Sequence, residues 1–220
     1  MILFMDAKIL IPQEIVTFKE SDKEKWYKEL DKENPFENDY SIISSKIPFY
    51  NRQKTIDKAI KRRERYFREY CVINAYSAMF EKAYYTHSIQ LFYAKKWLNQ
   101  VPPNEPFQKE LYDDLYNEKY FPSERLKAAQ ERKLKSDYLI QNSLKPKLPD
   151  VWLVDEYPNS LFIEVKRLRE SFMKGQKEGL AIIKKYLGCD IRIARVCSEN
   201  ETHPRLKFED IDITEIYNKI

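Results

Sequence analysis

Two short apolar runs, Val151–Val154 and Leu161–Val165, flank the turn-like segment Asp155-Glu156-Tyr157-Pro158-Asn159-Ser160. Both are rich in β-forming residues and too short for helices, so they predict an antiparallel hairpin. A third run, Ile191–Val196, predicts another buried strand. Between them, Gln176 to Leu187 places Leu180, Ile183 and Leu187 on one helical stripe, with Gly188 as the stop. Upstream the period changes. From Glu69 to Leu98 there is no proline or glycine, and Val72, Ala75, Ala78, Met79, Tyr85, Ile89, Phe92 and Tyr93 recur near helical spacing. One long or two stacked buried helices are expected there. Pro102, Pro103 and Pro106 end that segment. Gln108–Tyr120 and Ser123–Ile140 read as further helices, the second with Ser123 as its N-cap. Ser21–Lys32 reads as a short surface helix capped by Ser21, with Glu24 three residues on.

These elements describe an α/β chain: a small mixed sheet flanked by helices, preceded by a mainly helical part. Residues 1–65 are expected to form an arm or subdomain ending in a basic helix, residues 66–200 the α/β domain, and residues 201–220 a peripheral tail. The basic helix comes from the densest run of cations, Arg52 to Arg68, which includes Lys61, Arg62, Arg63 and Arg65. Such a run is either a solvated helix face or a set of contacts to nucleic-acid phosphates.

Composition removes several classes of chemistry. The three glycines, Gly175, Gly179 and Gly188, leave no room for a phosphate-cradling or dinucleotide-binding turn. Two histidines and three cysteines without CxxC spacing give neither a zinc ribbon nor a disulfide framework. A metal here would be held by oxygens, which points to Mg²⁺ or Mn²⁺. The net charge of +4 permits nucleic acid without demanding it. No apolar run reaches the length of a membrane span, and the N-terminus has no signal-peptide pattern, so an intracellular protein with no membrane partner is expected.

The candidate chemistry sits at the edges of the hairpin. With a turn centred near Pro158, position 150 would face 166 and position 152 would face 164. Alternation then places Asp150, Glu164 and Lys166 on one face at the open end. Two carboxylates there could share a hard cation, and a lysine beside them could orient or activate an attacking water. The plainer alternative is a surface strand with a Glu–Lys decoration and a turn aspartate. Glu81, set in the most apolar part of the chain, is either a buried carboxylate needing a partner or a surface residue.

The order Pro149-Asp150, strand, turn, strand ending in Glu164-Val165-Lys166 resembles the PD-(D/E)xK nucleases, and within them the VRR-NUC branch. Gln176, Leu180-Ala181, Gly188 and Ile191–Val196 follow in the order of that branch. The resemblance covers residues 149–196. Arg167-Leu168 replaces the branch's usual Gly-Pro, and Ser171-Phe172 stands where Arg-Leu-Ser is common. The resemblance implies a restriction-endonuclease-like core and a Mg²⁺- or Mn²⁺-dependent DNA phosphodiesterase, endonuclease or exonuclease. Asp150 and Glu164 would be metal ligands and Lys166 the catalytic lysine. Gln176 would orient water or substrate. It also implies an acidic residue on an upstream helix, for which Glu81 stands foremost, with Glu69 and Glu131 behind it. Arg62, Arg63, Lys147, Arg167, Lys174 and Lys177 are candidate contacts to DNA that is branched, nicked or ended. A homodimer is compatible with this reading. Two other classes stay open: an inactive nucleic-acid- or protein-binding module on the same fold, and a helical protein-interaction scaffold.

Overall fold

The computed structural model describes residues 7–33, 35, 57, 59–86, 113–201 and 207–220. Much of the basic run before Ala59, both histidines and the C-terminal half of the long expected helix lie outside the described residues.

The architecture is α/β. In chain order the elements are β1 (Leu10–Ile11), β2 (Gln13–Phe18), α1 (Glu20–Leu30), α2 (Arg63–Tyr76), β3 (Lys82–Tyr85), α3 (Ser123–Lys135), α4 (Asp137–Gln141), β4 (Val151–Val154), β5 (Leu161–Arg167), α5 (Gln176–Ile182), β6 (Asp190–Ser198), β7 (Ile211–Asp212) and α6 (Thr214–Lys219). A wider π-type turn, Ile183–Leu187, prolongs α5, and Gly188 ends it in the left-handed region at φ 74°. Five strands form one mixed sheet in the order β2-β6-β5-β4-β3, with β2, β6 and β5 parallel and β4 and β3 antiparallel. β1 and β7 make a separate two-stranded ribbon.

Strand alternation sends β4 and β5 side chains into two cores. Val151, Leu153, Leu161, Ile163 and Val165 face α1 and α2, where they meet Trp26, Phe67, Val72 and Ile73. Trp152, Val154 and Phe162 face α3, α5 and α6, in a core with Leu126, Leu180, Ile182 and Ile183. Trp152 is fully buried and stacks on Tyr84 and Phe162 with ring centroids 5.3 and 6.1 Å away. Helices on both faces explain why these strands read as continuous apolar runs.

The structure corrects several expectations. The helix expected from Glu69 to Leu98 stops at Tyr76. A 3-10 turn follows at Ser77–Met79, and Lys82–Tyr85 becomes the edge strand β3. Ala83 and Tyr84 are both buried, one in each core, so no alternation marks the strand in the sequence. The hairpin loop is centred on Tyr157, because Leu153 pairs with Leu161 and Val151 with Ile163. Asp150 therefore falls opposite Glu164 instead of Lys166. The slip is an even one, so the three side chains keep a common face. Neither expected serine cap forms: α1 begins after Lys19 and α3 after Pro122, both without a side-chain cap. The Ser123 amide donates instead to the Glu118 carboxylate. Ser136, extended and buried, divides the helix expected over 123–140 into α3 and α4.

The N-terminal segment read as an arm supplies β2, which pairs along its whole length with β6. No described helix is long and apolar enough to cross a membrane.

Candidate active site

The C-terminal end of β5 and the N-terminal end of β4 meet at one end of the sheet, beside the first turn of α5 and the middle of α2. Ligand sites in α/β sheets form beyond the carboxyl ends of parallel strands, where the backbone stops and side chains converge. A small cavity of about 70 Å³ lies here, lined from α2, β5 and α5 by residues that include Glu69, Asp150, Glu164, Lys166 and Gln176.

Glu164 and Lys166 are each 1% exposed, although their neighbours on the same face are aromatic core residues. Burial of this kind is tolerated only with close partners. Lys166 Nζ lies 2.8 Å from Glu164 Oε1 and donates to Gln176 Oε1 at 2.7 Å. Gln176 Nε2 donates back to Glu164 Oε1, and its Oε1 also accepts from the Met173 amide at 2.7 Å. The three side chains form a closed ring of contacts across β5 and α5. Phe172 covers the ring, with Lys166 Nζ 5.2 Å from its centroid.

Two glycines let α5 come this close. Gly175, at φ 90°, occupies a region that other residues reach with strain. A Cβ on Gly179 would stand 1.7 Å from the Lys147 carbonyl oxygen. The backbone of 145–147 thus packs directly on the start of α5, and the Lys147 amide donates to the Gly175 carbonyl at 2.9 Å.

Asp150 is held from two directions. One of its oxygens accepts from the Val165 amide at 3.0 Å, and the other accepts from Arg65 at 2.7 Å. Arg65, one turn before Glu69 on α2, also donates to Glu69 Oε1 at 2.8 Å. Glu69 is 1% exposed, and its Oε2 has no hydrogen-bond partner among the described residues. Around the cavity four carboxylates, Glu69, Asp150, Glu164 and Glu170, are therefore set against three cations, Arg65, Arg68 and Lys166.

That imbalance appears in the protonation of the site. Burial, reinforced by the Asp150 charge, pushes Glu69 up to about 8 against the pull of Arg65. Burial and the same Asp150 charge push Glu164 up to about 8 against the pull of Lys166. Asp150 is raised too, by burial, with Arg65 opposing. Carboxylates shifted together in a cleft are a signature of a functional site, although structural ion networks also produce it.

The donor set fits a hard divalent cation. It consists of carboxylate oxygens without cysteine or histidine, one of them orphaned, in a cluster short of positive charge. Asp150 and Glu164, facing each other across β4 and β5, are the residues that would hold Mg²⁺ or Mn²⁺. Among the described residues no three acidic, histidine or cysteine side chains are gathered into a ready-made metal cage. Arg65 stands between Asp150 and Glu69. A magnesium ion needs only one or two carboxylates, since it keeps several of its waters.

Glu81, expected to complete the metal site, lies elsewhere. Its amide donates to the Val154 carbonyl, at the far end of β4 from Asp150. Four residues of strand separate the two ends, roughly 13 Å. Glu81 is exposed, pairs with Lys119 at 2.6 Å and accepts from Tyr120 at 2.9 Å. Glu131 is exposed on α3. The carboxylate that does reach the site from an upstream helix is Glu69.

The expected DNA contacts are scattered by comparison. Arg167, Lys147 and Lys174 are exposed near the cavity mouth, and Lys177 lies 5.8 Å from the Phe172 ring. Arg62 is exposed, and Arg63 is engaged with Asp31 at 2.6 Å. Arg65 and Arg68, absent from the expected set, are the described cations of the basic run that reach the site, and Arg65 bonds directly to its carboxylates. The spacing of four between Arg65 and Glu69 on one helix was the available signal. Comparison with family models, characterised proteins and solved structures finds no match to this chain.

Proposed function

We propose that this chain is a metal-dependent nuclease that hydrolyses DNA phosphodiester bonds, selective for branched, nicked or ended duplexes. The observation that carries the reading is a buried Lys166 locked by Glu164 and Gln176 beside an Asp150 that faces Glu164 across the hairpin. A lysine and two carboxylates placed in a sheet interior purely for stability would be a poor choice, because apolar residues of similar volume serve as well or better.

When bound between Asp150 and Glu164, Mg²⁺ or Mn²⁺ would supply Lewis-acid polarisation of the phosphoryl oxygen. The remaining work falls to the chain. Lys166 Nζ, directed by the Gln176 carbonyl, would hold a water in line with the phosphorus. Glu164 Oε1, bonded to both Lys166 and Gln176, fixes that ammonium in place. Gln176 in turn is anchored by the Met173 amide, so its carbonyl cannot rotate away. Phe172 limits the access of bulk water to the ammonium.

The test is incubation of the purified chain with plasmid and with flap, nicked and blunt duplex substrates, in Mg²⁺ and in Mn²⁺. Cleavage that disappears in Lys166→Ala supports the reading. Cleavage at wild-type rate in that variant removes Lys166 from the mechanism, and no cleavage of any substrate removes the activity.

One observation favours a second reading, an inactive nucleic-acid-binding module on the same fold. Arg65 already neutralises part of the charge on Asp150 and Glu69, as a retired metal site would need. Tight binding of branched or nicked DNA, independent of metal and without cleavage, is its expected signature.

A further inference from the structure

A second feature adjoins the carboxylate cavity. Arg68, one turn after Glu64 on α2, is only 9% exposed, and its Nη1 has no hydrogen-bond acceptor among the described residues. Among the described residues its ion-pair partner is Glu64, whose Oε1 lies 3.2 Å from that nitrogen but without hydrogen-bond alignment. The other oxygen of Glu64 lies 3.5 Å from Arg167 Nη2. One exposed carboxylate thus spans two guanidinium groups. Burial lowers the proton affinity of Arg68, and the Arg167 charge lowers it further, so the two cations repel each other across this gap.

Arg68 borders two spaces. One is the cavity that holds Asp150, Glu164 and Lys166. The other is a larger hollow of about 590 Å³ between α1, α2 and the ends of β5 and β6, where Lys23, Arg167 and Arg169 also line the wall. Glu20, Glu64 and Glu201 line it as well, which disfavours a polyanion filling the whole hollow. The positive charge is concentrated where Arg68 and Arg167 meet, next to the Lys166 end of β5.

We propose that Arg68 and Arg167 form a phosphate subsite for a nucleic-acid strand, guarded by the Glu64 carboxylate until the strand displaces it. The inference rests on the nuclease reading for its ligand. A phosphodiester shares one negative charge over two non-bridging oxygens, like the carboxylate it replaces, and guanidinium groups bind such oxygens through paired donors. The strand that reaches Lys166 would thereby be fixed at a neighbouring phosphate, which sets its register at the site. Arg167 occupies a position where the VRR-NUC pattern has glycine, so this contact belongs to the present chain.

The test measures equilibrium binding of a fluorescein-labelled short DNA duplex and of its single strand by anisotropy, in EDTA, where no cleavage intervenes. Arg167→Ala is expected to weaken binding about 5- to 10-fold and to reduce the salt slope by about one. Glu64→Gln is expected to tighten binding about 3- to 10-fold by removing the competing carboxylate. In the double variant the Glu64→Gln gain should shrink to the part that Arg68 alone returns. If it persists in full, Glu64 acts only through long-range charge and the subsite falls; unchanged binding in Glu64→Gln overturns it as well. Inorganic phosphate at matched ionic strength is the control for a free anion. If Glu64→Gln gains phosphate affinity but no strand affinity, the nucleic-acid assignment is wrong. Cleavage without this binding pattern would leave the nuclease reading intact and remove the subsite. The pattern without cleavage would do the reverse.

Discussion

The two ends of β4 carry the same ingredients and use them differently. At one end Glu81 meets Lys119 and Tyr120 in the open, and those partners hold its carboxyl below the usual range. At the other end Glu69 and Glu164 also have cationic partners, yet both are pushed up to about 8. Contact distances do not separate the two ends, since both contain ion pairs shorter than 3 Å. Desolvation does: where water is excluded, the cost of a carboxylate charge exceeds what one cation returns. An ion pair therefore says little about chemistry until its burial is known.

Exchanging the lysines gives the largest contrast. Lys166→Met should reduce cleavage by about 10²- to 10⁴-fold, the range for loss of a positioned proton-transfer or water-orienting group. Lys119→Met should leave the cleavage rate unchanged. Equal rates in the two variants would erase the functional difference between the ends.

Gly179→Ala attacks the site end through packing alone. The added methyl meets the Lys147 carbonyl, so α5 must retreat and take Gln176 with it. A loss of about 1–3 kcal/mol, or more, is expected from thermal unfolding. Cleavage should fall further than stability, since the Lys166–Gln176 bond depends on that approach.

The pH dependence of stability sharpens the contrast. Unfolded glutamates release their protons near 4.5, whereas folded Glu69 and Glu164 do so near 8. Between these values the folded state binds more protons, so metal-free stability should decline as pH rises from 4.5 towards 8. Glu69→Gln should flatten that decline in urea titrations at several pH values. Glu81→Gln should leave it as it is, because a depressed carboxyl stabilises above its usual range and loses that effect only as pH falls below it. Added Mg²⁺ should also flatten the decline, since a metal favours the deprotonated site.

The smallest effect is expected at the exposed pair itself. Lys119→Ala should leave the urea unfolding midpoint essentially unchanged, as expected for a solvent-exposed ion pair.

What the sequence disclosed follows the same division between local and long-range causes. The hairpin strands, their alternation and the position of Gln176 were legible, because apolar runs and short spacings encode them directly. The two-residue shift in register was not, since it depends on which loop residue sits at the apex, and an even shift leaves the pattern unchanged. β3 was hidden because both faces of Ala83-Tyr84 are buried, so its residues mimic a helix interior. β2 carries no strong pattern; its Gln13, Glu14 and Thr17 are ordinary for an edge strand, and only the partner β6 makes it one. Glu81 drew attention through its apolar neighbours along the chain, whereas burial is decided by neighbours in space. Glu69, one helix turn from Arg65, had the better local signature.

The pairing of β2 with β6 has a consequence for how the chain is made. Gln13 accepts from Arg195, 182 positions later, whereas Lys166 and Gln176 are only 10 apart. During synthesis β2 emerges early and stays an unpaired strand until nearly the whole of β6 has followed. The ring around Lys166 can close from neighbouring segments, but the sheet that supports it cannot. Such long-range closure slows folding and leaves an open strand edge exposed to other chains meanwhile. Slow ribosomal elongation through residues 190–198 would lengthen that interval, so yield from expression should depend on this stretch more than on the site it completes.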